Sequence, residues 1–256
     1  MDYNLGIVLS GGGVRALAHI GLLQALKENN IHPEIIAGTS GGALVGALYA
    51  AGYDTKTMLQ FFNETPLFKF SLYSLNKPGI MDTDKYSVFF DKYFKEDSFE
   101  ALKKPIYVTA TNILNGQLEF FHKGQLIKPL LASAALPPIF SPIEIGDNLY
   151  SDGGIINNFP IEPLRFSCNK VIGSFVNPLT KIDKLEVKST MALIQRVYHI
   201  GLDAKDLIKF HQCNYVFSPP DISNIGIFDS KAVTKSYEFG YQHAIEEMPK
   251  ILESLN

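Results

Sequence analysis

The chain is poor in cysteine and in clustered basic residues, and both shortages exclude classes of protein. Two cysteines occur among 256 residues, Cys168 and Cys213, and they form no CxxC pair. Neither a disulfide scaffold nor a cysteine zinc site is therefore expected. The 23 basic and 26 acidic residues leave a formal net charge of −3, without a basic block. This balance argues against a nucleic-acid partner.

Signals for export and for membrane insertion are also missing. Asp2 precedes the first apolar run, where a secretory signal would carry Lys or Arg. Residues 35–53 carry no charge over a length that can cross a bilayer, but they include five glycines around Thr39 and Ser40. A short strand, a glycine turn and a small-residue helix explain this stretch better than a transmembrane span. We therefore predict a cytoplasmic protein.

Alternating apolar runs and amphipathic segments predict one α/β domain over residues 1–256. The first fifty residues read as strand 5–9, helix 16–27, strand 34–37 and helix 43–51, an order typical of a parallel sheet covered by helices. Later strands are predicted at 106–111, 118–121, 171–176 and 215–217, with a hairpin formed by 143–145 and 149–150. Later helices are predicted at 83–93, 126–134, 189–210 and 232–255.

Residues 61–80 crowd aromatic side chains together without a helical or strand period. One interpretation is an irregular loop whose aromatics cap the core. The other is a mobile flap that contacts lipid. The residues expected to make that contact are Phe68, Phe70 and Tyr73, with Lys69 and Lys77 beside them.

The most informative motif is Gly38-Thr39-Ser40-Gly41-Gly42, a G-x-S-x-G between a predicted strand and a predicted helix. A sharp strand-to-helix turn exposes a serine hydroxyl at the carboxyl edge of a sheet, and small neighbours let the turn close. The N-terminus of the following helix offers N–H groups to a developing oxyanion. The motif therefore predicts Ser40 as a nucleophile.

A second glycine motif, Gly11-Gly12-Gly13, follows the first predicted strand and precedes Val14 and Arg15. A dinucleotide fingerprint fits poorly, because the acidic residue should end the second strand, whereas Glu34 begins it. A phosphate-binding P-loop fails because the G-K-[ST] ending is missing. The third interpretation is an oxyanion hole, since loops after neighbouring parallel strands meet at one edge.

The base that would activate Ser40 is less clearly marked. No local context places a histidine beside the serine; the six are His19, His32, His122, His199, His211 and His243. Asp152, in Asp152-Gly153-Gly154, follows a short predicted strand, and a carboxylate can take the proton directly. Asp-Gly-Gly is also an ordinary turn sequence, so both interpretations stand on local pattern alone.

Taken together, these elements resemble the patatin-like phospholipase family. That family has a glycine-rich oxyanion loop with a basic residue, a G-x-S-x-G nucleophile and a later D-G-[AG] that carries an aspartate. The three motifs occur here in that order, and residues 132–140 resemble the segment before the family's aspartate. The resemblance covers about residues 1–180 and departs at Ala16, where the family usually has glycine. Arg15 matches the basic position, with a role near a lipid headgroup, in shaping the loop, or as a solvated residue.

The resemblance implies a three-layer α/β/α fold with a mostly parallel sheet, and a Ser40–Asp152 dyad. Gly11, Gly12 and Gly13 would form the oxyanion hole, without a metal or other cofactor. The substrate implied is a phospholipid, lysophospholipid or neutral acyl ester. To reach it, the protein is expected to contact the inner membrane face peripherally. Three alternatives stay open: a transacylase using the same site, a lipid- or partner-binding protein with little hydrolysis, and a Ser-His-Asp hydrolase.

Overall fold

One sheet runs through the middle of the protein and carries the predicted motifs at its edge. The computed structural model describes residues 1–66 and 69–256, with only the backbone described at 70, 191, 195, 198 and 202–205. Within these residues the strands are β1 (Tyr3–Leu9), β2 (Ile35–Thr39), β3 (Ile106–Asn112), β4 (Gln117–Phe121), β5 (Ile143–Ile145), β6 (Asn148–Asp152), β7 (Cys168–Ser174) and β8 (Tyr215–Phe217).

The sheet is mostly parallel, as predicted. Strands β3, β2, β1, β7 and β8 are successive parallel neighbours. Strands β4 and β6 pair antiparallel with β3, and β5 pairs antiparallel with β6. The antiparallel strands therefore all lie on the β3 side of the sheet.

Helices surround the sheet and leave little of its centre exposed. The α-helices of the described residues are α1 (Leu17–Glu28), α2 (Gly41–Ala51), α3 (Thr55–Glu64), α4 (Ser87–Phe90), α5 (Ile127–Ser133), α6 (Thr190–Asp206) and α7 (Val233–Ser254). In β1, Ile7 and Leu9 belong to one hydrophobic core and Val8 to another. Alternate residues of a strand point to opposite faces, so both faces are covered. The predicted three-layer α/β/α fold is confirmed.

Most predicted elements are present, with shifts of a few residues at their ends. No prediction covers helix α3, which buries Met58 and Phe61. Its last four residues, 61–64, lie in the range 61–80 that the sequence predicts to lack a helical period, so that prediction is wrong for them. Asp54 caps the helix by accepting a hydrogen bond from the Thr57 N–H at 2.8 Å. The helix predicted at 83–93 is a 3₁₀ turn followed by the single turn of α4.

Residues 61–80 combine core and surface positions. Phe61 is fully buried and packs edge-on against Phe62, Phe90 and Tyr93, so at this residue the core-capping interpretation is right. Phe68 lies outside the described residues, and the side chain of Phe70 is not described.

The uncharged stretch 35–53 forms β2 and α2 within the domain. In the part of the chain that the structure describes, no helix combines the length and the apolar character that crossing a bilayer requires.

Candidate active site

The G-x-S-x-G motif forms the sharp turn between β2 and α2. Ser40 has φ 53° and ψ −129°, a region that non-glycine residues rarely occupy. The turn closes because its glycines leave room for backbone. A Cβ on Gly42 would lie 2.4 Å from the carbonyl oxygens of Leu9 and Ser10. A Cβ on Gly38 would lie 2.8 Å from the backbone of Ala43, inside α2.

Strand pairing brings Asp152 to Ser40 across more than a hundred residues of sequence. Thr109 of β3 pairs with Thr39, and the next residue, Ala110, pairs with Asp152. Strand β4 overlaps both of these pairings and therefore occupies the opposite edge of β3. Strands β2 and β6 thus lie end to end along one edge of β3. Their carboxyl ends, which carry Ser40 and Asp152, meet.

The glycines after Asp152 let the chain turn away beside β3. A Cβ on Gly153 would lie 2.3 Å from Thr109 Oγ1, and one on Gly154 would lie 3.0 Å from Asp152 Oδ1. The Gly154 N–H donates to Asp152 Oδ1 at 2.7 Å. Asp-Gly-Gly is therefore a turn, and the turn presents a carboxylate to Ser40.

The Asp152 carboxyl group is buried, and its pKa lies close to neutral pH. Burial raises the pKa of Asp152 to about 7, and hydrogen bonds with the Ser40 side chain and the Gly154 N–H oppose this rise. A carboxylate in a low-dielectric site loses hydration, so its charged form is disfavoured. A base whose pKa lies close to the working pH is suited to proton transfer. Such shifted groups in a cleft are typical of catalytic sites.

The glycine loop lies against Ser40, but its three residues are not equivalent. The Gly11 N–H donates to the Asn158 carbonyl oxygen at 3.2 Å, so it is already engaged. A Cβ on Gly11 would lie 3.1 Å from Ser40 Cβ, which makes this residue a spacer. Gly12 and Gly13 line the same cavity as Ser40 and Asp152. Among the described residues, no hydrogen bond takes the N–H of Gly12 or Gly13.

Ala16, the departure from the family pattern, is accommodated by a glycine opposite it. Ala16 is fully buried. A Cβ on Gly41 would lie 2.7 Å from the Ala16 methyl carbon and 2.8 Å from the Gly13 carbonyl oxygen. The methyl group thus occupies space that Gly41 leaves empty, and the first turn of α2 still packs closely on the glycine loop.

Arg15 connects the glycine loop to the C-terminal part of the chain. Its guanidinium donates to the carbonyl oxygens of Ile225 at 2.6 Å and Ser223 at 3.2 Å, and to Asn177 Oδ1 at 2.9 Å. Burial lowers the pKa of Arg15 to about 10, so it stays protonated at neutral pH. These contacts support the loop-shaping role and exclude a solvated side chain.

His19 supports the start of the glycine loop from behind. Its ring is fully buried between the Ser174 hydroxyl, 2.7 Å from Nδ1, and the Ser10 carbonyl oxygen, 2.9 Å from Nε2. Since a carbonyl only accepts, Nε2 carries the hydrogen and Nδ1 accepts from Ser174. Burial lowers the pKa of His19 to about 4. The ring is therefore neutral at pH 7 and positions the backbone of Ser10.

Asn158 lines the candidate site without having been predicted from the sequence. It is 4% exposed and lines the cavity that holds Ser40 and Asp152. Within the described part of the protein, its Nδ2 has no hydrogen-bond partner although the atom is buried. Buried amide groups are usually paired, so this donor is available to a group that enters the cavity. The pair Asn157-Asn158 after Asp-Gly-Gly was the available signal, but two asparagines are equally typical of a plain turn.

Two cavities of different character meet at Ser40. The larger, about 740 Å³, has a mixed wall, in which charged side chains such as Arg15, Asp152 and Arg196 lie among apolar ones. The smaller, about 360 Å³, is lined mainly by apolar and aromatic side chains, with Phe61, Leu131 and Val233 among them. Residues shared by the two linings are Gly13, Ser40, Leu136, Ile227 and Phe228. A molecule with one polar and one apolar part can therefore place its junction at the serine.

In the residues the structure describes, no cluster of three or more His, Cys, Asp or Glu side chains is arranged to hold a metal ion. His199 lines the larger cavity, and its Nε2 lies 2.8 Å from the Asn177 carbonyl oxygen. A hydrogen bond to a carbonyl requires Nε2 to be the donor, so in this arrangement that nitrogen is not a proton acceptor.

Comparison with solved structures agrees with the fold. VipD from Legionella pneumophila superposes with a TM-score of 0.58 at 14% identity, over 98% of this chain and 67% of that one. Human GIVD cytosolic phospholipase A2 superposes with a TM-score of 0.53 at 11% identity, over 99% of this chain and 58% of the enzyme's chain. At these identities the likeness concerns the fold alone.

Sequence comparison identifies relatives at higher identity than the solved structures do. An uncharacterized NTE family protein of Mycobacterium tuberculosis is 31% identical over 162 residues, 62% of this chain and 45% of that protein. Lysophospholipase NTE1 of Cryptococcus neoformans is 33% identical over 170 residues, 63% of this chain and 10% of that protein. The chain spans less than half the length of these relatives. Residues 7–165, which contain the glycine loop, the serine turn and the aspartate, match the family model for patatin-like phospholipases, and the chain belongs to that family.

Proposed function

We propose that the protein is a serine hydrolase of lipid acyl esters that uses Ser40 as nucleophile and Asp152 as base. The observation that carries the proposal is the interaction of the Ser40 hydroxyl, on a strained turn, with a buried carboxylate whose pKa is about 7. Ser40 Oγ attacks the ester carbonyl carbon while its proton passes to Asp152. The leaving alkoxide then takes that proton, and an acyl-enzyme remains.

Hydrolysis of the acyl-enzyme repeats the same steps with water. Asp152 removes a proton from water, and the resulting oxygen attacks the acyl carbon. The proton returns to Ser40 as the carboxylic acid leaves. Both tetrahedral intermediates carry an oxyanion, which preorganised N–H donors stabilise. We assign this role to the N–H groups of Gly12 and Gly13, beside the N-terminus of α2, and leave Gly11 as the spacer.

The two cavities support a lipid as the substrate class. The apolar cavity suits an acyl chain, and the larger cavity suits the alcohol part of the ester, as in a phospholipid or lysophospholipid. The proposal is consistent with the name of the fungal lysophospholipase relative.

For residues 61–80, we propose lipid contact through the side chains that are exposed. Of the described apolar side chains in this range, Tyr73, Leu75 and Ile80 are the exposed ones. Lys77 forms ion pairs with Asp82, at 3.2 Å, and with Asp84, so its charge is already compensated. The contact now depends on the apolar side chains and on Lys69.

A fluorophosphonate probe tests the nucleophile, because it phosphonylates only activated serines. We expect one equivalent of label, located on Ser40 by peptide mass spectrometry, and competition by lysophospholipid. Product analysis with and without glycerol then distinguishes a hydrolase, which releases fatty acid, from a transacylase, which forms glyceride. Absence of labelling in the folded protein would favour a binding protein.

The pH dependence tests the base. Because Asp152 acts as the carboxylate, kcat/KM on a short soluble ester should fall about tenfold per pH unit below pH ~7 and level off above it. An ordinary aspartate would hold its plateau down to about pH 4. Circular dichroism at each pH checks that the fold persists. A plateau that extends well into the acid range contradicts the assignment.

A further inference from the structure

Helix α6 turns an apolar stripe toward solvent. Leu193, Val197 and Ile200 follow one another at helical spacing and are 51%, 61% and 48% exposed. A surface helix normally packs its apolar face on the core and leaves its polar face in water. Contiguous exposed apolar surface instead marks a site of interaction.

Other residues of α6, next to the stripe, line the active-site cavity. His199 and Arg196 line the cavity that holds Ser40. His199 Nε2 lies 2.8 Å from the Asn177 carbonyl oxygen, and Arg196 donates to the Thr180 carbonyl oxygen at 2.8 Å. Ile194 lines the same cavity and is also exposed. The apolar stripe therefore begins where the wall of the cavity reaches the surface.

Flanking residues extend the stripe and place three lysines before its N-terminal end. Leu185, Val187, Leu207 and Ile208 are exposed on either side of the helix. Residues 179–206 carry five basic and four acidic side chains, and the basic ones are concentrated before α6 and in its first half. The basic residues are Lys181, Lys184, Lys188, Arg196 and Lys205, and the acidic ones are Asp183, Glu186, Asp203 and Asp206.

The acidic side chains next to the three lysines before α6 are held in a local turn, whereas those lysines form no ion pair among the described residues. Asp183 and Glu186 form a capping box, in which each carboxylate accepts a backbone hydrogen bond from the segment itself. Among the ion pairs of the described residues, none includes Lys181, Lys184 or Lys188. Exposed lysines beside an apolar helical stripe are the features of a helix that lies in a lipid interface.

We propose that α6, together with residues 179–188, docks onto a lipid surface that contains anionic headgroups. Docking would bring the mouth of the Ser40 cavity to the interface where lipid esters are found. This role of docking rests on the proposed function, but the docking itself can be measured without any ester hydrolysis. The bound surface is a bilayer, since apolar side chains enter the acyl boundary while the lysines stay at headgroup level.

Vesicle sedimentation with Leu193→Gln/Val197→Gln tests the stripe. Both side chains are exposed and outside either cavity lining, so the fold and the activity on a short soluble ester should persist. Binding to phosphatidylcholine vesicles containing phosphatidylglycerol should weaken by about tenfold or more, because two apolar side chains no longer leave water. Activity on those vesicles should fall in parallel. Val88→Gln/Leu114→Gln, at comparably exposed positions elsewhere, is the matched control and should bind like the parent.

Lys184→Gln/Lys188→Gln tests the charge component. It should weaken binding only when phosphatidylglycerol is present, and added salt should remove the difference.

Unchanged vesicle binding by the Leu193→Gln/Val197→Gln variant overturns the proposal. An equal loss of vesicle binding by the Val88→Gln/Leu114→Gln control also overturns it. So does the result that Leu193→Gln/Val197→Gln abolishes self-association in light scattering but leaves vesicle binding unchanged, because the stripe would then be a contact between two copies of the chain. Normal docking by a protein that hydrolyses no ester would instead refute the proposed function and leave the docking surface standing.

Discussion

Ser40→Ala should reduce ester hydrolysis by about four orders of magnitude or more while the protein stays folded. The change removes the Oγ that attacks the carbonyl and keeps the Cβ, so the turn from β2 to α2 has the same steric requirements. The variant should also lose labelling by a fluorophosphonate. Initial rates on a short soluble ester and on lysophospholipid, with circular dichroism of the same samples, give the measurement.

Ser167→Ala is a suitable control for this experiment. Ser167 is a hydrogen-bonded serine whose Oγ donates to the Pro163 carbonyl oxygen at 2.7 Å, and it lines neither cavity. Its loss should leave the rate close to that of the parent. Appreciable turnover by folded Ser40→Ala protein would refute the dyad.

Asp152→Asn should reduce hydrolysis by a comparable factor, about four orders of magnitude, because a carboxamide cannot accept the serine proton. The substitution is nearly isosteric, and the amide oxygen can still accept the hydrogen bond from the Gly154 N–H. Fluorophosphonate labelling should slow together with hydrolysis, since both reactions need an activated Ser40. Steady-state rates and labelling rates at pH 8 give the comparison.

The stability of Asp152→Asn separates catalysis from folding. The folded-state pKa of Asp152 is raised from 3.8 to about 7, so the native state favours the protonated carboxyl. Above pH ~7 the ionised group opposes folding, because its charge is buried. The asparagine variant should therefore unfold at a temperature equal to or above that of the parent at pH 8. A large drop in melting temperature would show that the lost activity reflects misfolding.

His199→Gln distinguishes the dyad from a triad, because His199 is a histidine of the cavity wall. If Ser40 and Asp152 act as a dyad, His199→Gln should change the rate on a soluble ester by less than about tenfold, which is much less than the effect of losing a general base. A loss as large as that of Ser40→Ala would assign the base to histidine instead.

The sequence by itself determined the elements whose signal is local. The alternation that produces β1, α1, β2 and α2 lies within fifty residues, and the serine turn needs only its glycines and the neighbouring strand and helix. Asp152 could be predicted as the base only with the help of a family resemblance. Its local pattern is a turn, and the pairing that brings β6 end to end with β2 joins segments far apart in the chain.

Only the tertiary structure decided which groups of each motif are available for chemistry. Gly11, Gly12 and Gly13 are the same residue type, yet the carbonyl oxygen of Asn158 engages the N–H of Gly11 alone among them. The amphipathic pattern of α6 predicts a helix with one apolar side, but not that this side faces water. Helical and strand periods follow from short-range backbone sterics and are written in consecutive residues. The neighbours of a strand, and the direction in which a helix faces, are set by contacts between distant segments, and no local pattern records them.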